Sequence, residues 1–153
     1  EAILKAVLYH NRRELPDCLD DLTETISHTV RDADKLDIFK VMVDYLGSAL
    51  PERDAGLLHV EDNPEKWTPE VADSILNGNV GRYSDLHYVN DFRLLLGSWM
   101  YELRFSATRK ALYESGLMEI VLSGLPEADG LRGVRSRLYA ELRKCGENRR
   151  GAQ

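Results

Sequence analysis

The spacing of the apolar residues constrains this chain more than any other feature. They recur at steps of three and four almost throughout, and nowhere alternate long enough to make a half-buried strand. Such steps bring side chains together on one face of a helix, so the chain reads as an all-α domain. Ile3, Leu4, Val7 and Leu8 give a short N-terminal helix with an inward stripe. Pro16 suits the first position of a second helix, whose stripe is Leu15, Cys18, Leu19, Leu22, Ile26 and Val30. A third runs from about Ala33, turns Leu36, Phe39, Val43 and Leu46 inward, and ends near Gly47, before Pro51.

Between Pro51 and Trp67 the periodicity lapses and acids accumulate, which marks the longest connection, with Gly56–Val60 a short strand or helical turn inside it. Thr68, Pro69 and Glu70 then read as a helix start and Gly78 as its stop. From Ser84 to about Arg104 two apolar stripes lie side by side, Val89, Leu96, Met100 and Leu103 beside Tyr88, Phe92, Leu95 and Trp99. So broad an apolar surface predicts a central, buried helix. Gly97 within it costs about 1 kcal/mol relative to alanine, which predicts a neighbouring helix packed closely against it. Ser106 to Gly116, Leu117 to Leu122 and a last helix carrying Leu131, Val134, Leu138 and Leu142 complete the set. Residues 1–146 thus form one helical domain, and residues 147–153 a frayed tail.

With 153 residues, 43% hydrophobic and 30% charged, the chain has enough apolar material for one core without a disulfide or metal staple. Its apolar runs, such as Leu94–Leu96, fall far short of the ~20 residues that span a bilayer. Two cysteines, Cys18 and Cys145, are too few for a secreted scaffold, which predicts free thiols and an intracellular protein, cytoplasmic or nuclear. Because the chain opens on Glu1 rather than methionine, it reads as a segment of something larger.

Residues 91–125 carry a more specific pattern. Asp91 to Arg104 supply a leading helix, Ser106 to Ser115 a short second one, Gly116 a sharp reversal, and Leu117 to Leu125 a third. Together with the spacing of Ala111, Leu112, Gly116, Leu117, Ile120, Val121 and Leu125, this resembles one armadillo-type repeat. The resemblance implies an armadillo- or HEAT-like α-solenoid fragment; the residues alone equally allow a compact bundle of six to eight helices. It also implies partner binding without chemistry. The tryptophan and asparagine that line the peptide groove of importin-type members are missing from Leu117–Leu125, which argues against binding of nuclear signals.

The net charge of −6 argues against a nucleic-acid binder, yet residues 131–153 carry seven bases and two acids. Arg132, Arg135, Arg137, Arg143 and Lys144 form a candidate electrostatic patch for an acidic protein or peptide, interleaved only by Tyr139. His59, Glu61 and Trp67 are the candidate contacts in the long acidic connection. Asp17, Asp21, Glu24 and His28 share one helical face, but a metal site needs matching groups on a second helix, so no metal is expected. His87 and Asp91, four apart, read as a surface pair. No phosphate loop, nucleophile elbow or paired-cysteine motif is present, so neither a cofactor nor catalysis is expected. The leading function is a scaffold or adaptor domain that binds a partner through its helical surface. The alternative is a small acidic bundle of the immunity or antitoxin kind, which blocks a basic enzyme through residues 51–75.

Overall fold

Seven α-helices form a multi-helix bundle in the computed structural model, which describes residues 1–12, 14–47 and 60–147; no strand lies among the described residues. They are α1 (Ala2–Tyr9), α2 (Asp21–Gly47), α3 (Pro69–Leu76), α4 (Val89–Ser98), α5 (Ser106–Ser115), α6 (Leu117–Ser123) and α7 (Asp129–Gly146). Short 3-10 turns cover Tyr83–Asp85 and Trp99–Glu102.

The second and third helices expected from the sequence are one helix of 27 residues, about 40 Å long. Its start is set by Asp20 rather than Pro16: the Asp20 carboxylate accepts from the Thr23 N–H at 3.0 Å and the Thr23 hydroxyl at 2.6 Å. Leu15 and Cys18 therefore precede the helix, and Leu22, expected inside, is exposed. The buried positions of its first half are instead polar, Thr23, Ser27 and Asp32, with the Ser27 hydroxyl donating to the Thr23 carbonyl at 2.7 Å. This half packs against α1, whose one fully buried residue is Ala6. Small residues on both sides let the two backbones approach. The second half of α2 enters the common core through Phe39 and Leu46.

Around α4 the remaining helices close. Nine of its ten residues are buried, all but Arg93, as the doubled stripe predicted. The expected helix over 84–104 is broken, however, into a 3-10 turn, α4 and a second 3-10 turn. Gly97 is where α7 comes nearest, since a Cβ there would lie 2.9 Å from Leu138 Cδ1 and 3.4 Å from Leu122 Cδ2. The inward face of α7 is Leu131, Val134, Leu138, Leu142 and Cys145, at steps of three and four. Gly116 ends α5 and begins α6 in the left-handed region, φ +69°, as the sharp reversal demands. Gly78, at φ +79°, stops α3 as expected.

Two carboxylates stitch distant parts together. Asp91 is fully buried and accepts four hydrogen bonds: from the Thr68 N–H (2.6 Å) and hydroxyl (2.7 Å), and from the His87 (2.9 Å) and Tyr88 (3.0 Å) N–H groups. It is thus the anchor between α3 and α4, not a surface partner of the His87 ring. Asp32 reaches from α2 to the backbone N–H groups of Arg104 and Phe105, at 3.0–3.1 Å, where α5 begins. Both place negative charge at a helix start, where unpaired N–H groups converge.

Candidate functional site

The basic residues of α7 do not form one patch. Arg132, Arg135, Tyr139 and Arg143 follow one another at steps of three and four and line a shallow groove of about 410 Å³ with Glu127, while Arg137 and Lys144 point elsewhere. Residues two apart on a helix face different ways, which is why the five separate. Arg135 is 19% exposed and works within the fold, pairing with Glu127 at 2.7 Å and donating to the Leu125 carbonyl at 2.8 Å, just beyond α6. Arg137 lies over the Tyr101 ring at 5.8 Å and donates to its hydroxyl at 3.2 Å. Arg132 pairs with Asp129 and Lys144 with Glu141. The carboxylates paired with Arg132, Arg135 and Lys144 thus come from α7 itself and its approach, not from the acidic residues near 61–73.

In the connection, Glu61 bridges to Tyr88 in an isolated parallel pair, its N–H donating to the His87 carbonyl at 2.8 Å, and its carboxylate meets Lys66 at 3.4 Å. Trp67 is half-buried and packs over Gly130, where a Cβ would lie 2.9 Å from its Cζ2. It packs against the start of α7. His59, and with it most of Gly56–Val60, lies outside the described residues. Asp17 is not on the same helix as Asp21, Glu24 and His28; His28 and Glu24 approach to 3.6 Å, and among the described residues no cluster able to hold a metal occurs. Cys18 is exposed and Cys145 buried, both as free thiols; burial first of all pushes the Cys145 thiol up, keeping it protonated at neutral pH. No described helix is long and apolar enough to cross a membrane.

Two features went unread in the sequence. The first is the outer face of α1. Ile3, Leu4, Val7 and Leu8, expected to point inward, are 58–76% exposed, and Leu22 of α2 is 64% exposed. Because α1 has apolar residues nearly all round, periodicity shows that it has a buried side but not that a second apolar side remains. The second feature is a cleft of about 490 Å³ between the α1–α2 junction and the segment before α4. Its floor is Ile38, Val80, Leu95 and Trp99, and its rim carries Arg12, Arg31, Lys35 and Arg82 against Asp34 and Glu102. The rim residues lie in four stretches of chain, far apart in sequence, so no motif announces them.

The chain matches no protein-family model, no curated protein and no solved structure.

Proposed function

We propose that this is a non-catalytic interaction domain that docks an amphipathic helix of a different protein on the outer face of α1. The observation that carries the reading is the set of five exposed aliphatic side chains, Ile3, Leu4, Val7, Leu8 and Leu22. Ile3, Leu4, Val7 and Leu8 recur at steps of three and four and so lie on one side of α1, and apolar side chains gathered in this way often mark a contact surface. The matching surface is therefore mainly aliphatic, with the exposed Lys5–Glu1 pair on the same helix.

The aliphatic face is only part of the contact. A fully buried aliphatic side chain removes roughly 60–120 Å² from water, so five that are about two-thirds exposed offer on the order of 200–400 Å². A stable protein–protein interface takes about 800 Å² from each side. A partner that continues past α1 onto the neighbouring surface supplies the difference. The armadillo resemblance of residues 91–125 supports the same class of function, because α4, α5, the Gly116 turn and α6 follow that order of helices.

The test is Leu4→Asp/Leu8→Asp. Both side chains are exposed, so the variant should keep the parent's helical circular dichroism and melting temperature. A protein captured by the wild type, then purified and shown to bind it directly, should bind the variant at least tenfold more weakly. Equal binding overturns the reading, and so does a wild-type dimer in sedimentation that the variant dissolves.

A further inference from the structure

The geometry points to a second, independent site: we infer that the cleft between the α1–α2 junction and residues 80–84 binds a small organic anion, a carboxylate or sulfonate carried on a flat apolar body. Its volume, about 490 Å³, falls in the range of small-molecule sites, roughly 300–1,000 Å³. The floor is apolar and already fixed. Leu95 and Trp99 are buried, and the Trp99 ring is held edge-on to Phe39, centroids 5.6 Å apart at 66°. Ile38 and Val80, partly exposed over this fixed base, are the apolar surface that a planar ligand meets.

The rim selects the charge. Four cations face two acids there, an excess of two positive charges in a chain of net charge −6. One of those acids is already engaged, Glu102 with Lys35 at 3.1 Å. The Arg82 guanidinium has no ionic or hydrogen-bonding partner among the described residues. Arg12 lies over the Tyr9 ring at 4.9 Å, a contact that leaves the N–H edge of its guanidinium open. Planar guanidinium groups of this kind match a carboxylate or sulfonate with two parallel hydrogen bonds. The Tyr83 phenol, pushed up by burial first and then by Glu102 and Asp34, remains a donor at neutral pH. An organic cation would meet two uncommitted arginines, and a neutral ligand would leave them unmatched.

The site stands apart from docking on α1, and either can fail without the other. The probe is naphthalene-2-sulfonate, followed by the Trp99 indole N–H and Gly81 amide cross-peaks in nuclear magnetic resonance. Both signals should shift saturably. Arg12→Glu and Arg82→Glu, both at exposed positions, should each weaken binding at least tenfold, as should replacing the probe with the neutral naphthalene-2-methanol; acetate alone should not bind. Comparing N-acetylphenylalanine with a hexapeptide ending in a free phenylalanine carboxylate tells a small molecule from a chain terminus as the better occupant, and either fits the shared chemistry. Shifts confined to α1, affinity unchanged in both arginine variants, or equal binding of the neutral probe overturns the inference.

Discussion

At Asp91 four donors converge on one carboxylate. Three of them are backbone N–H groups, which only an acceptor can satisfy. An amide of the same shape has one acceptor oxygen and turns an NH₂ toward the rest. Asp91→Asn should therefore cost about 2–4 kcal/mol, since hydrogen bonds to a charged group are worth about 1.5–3 kcal/mol and buried donors are left unmet. Urea unfolding at pH 7 checks this, and a cost under about 1 kcal/mol would mean that water takes over the vacated donors. The sequence displayed Asp91 beside His87 but not what lies around it. The pairing that matters runs to Thr68, 23 residues earlier, and a four-residue spacing carries no trace of it. Arg135 and Trp67 repeat the lesson, for each looked like surface and each is used by the fold.

Among the elements, those fixed by local signals were legible. The Thr68–Pro69 start, the Gly78 stop, the Gly116 reversal and the α7 stripe all appear where turn chemistry and period place them. The misreadings fall where tertiary contacts overrule local ones. Pro16 and a separate stripe read from about Ala33 suggested two helices, yet Asp20 caps one continuous rod and the buried face changes from polar to apolar along it. Gly116 isolates a single backbone effect. A Cβ there meets nothing within 4 Å, so Gly116→Ala suffers only from the positive φ. The expected loss is about 1–2 kcal/mol, read as a lower urea midpoint with unchanged slope. Wild-type stability in this variant would show that the α5–α6 junction can re-form with a different turn.

For the whole molecule, the exterior proved harder to read than the interior. Apolar period tells which residues can be buried, and the central position of α4 follows from it. It does not tell which apolar faces stay uncovered, so the outer side of α1 was mistaken for core. Nor does it tell which cations gather, and so the cleft stayed hidden while the α7 patch looked larger than it is. The seat at Gly97 has one more consequence. On that side the backbone of α4 meets Leu122 of α6 and, closer still, Leu138 of α7, which lies some forty residues later. A nascent chain leaving the ribosome thus carries its most deeply buried helix without its full cover until α7 emerges. A version stopped before Leu131 should show no cooperative melting by circular dichroism and should need a chaperone to stay dispersed; a sharp transition in that truncated form would mean that the first six helices close by themselves.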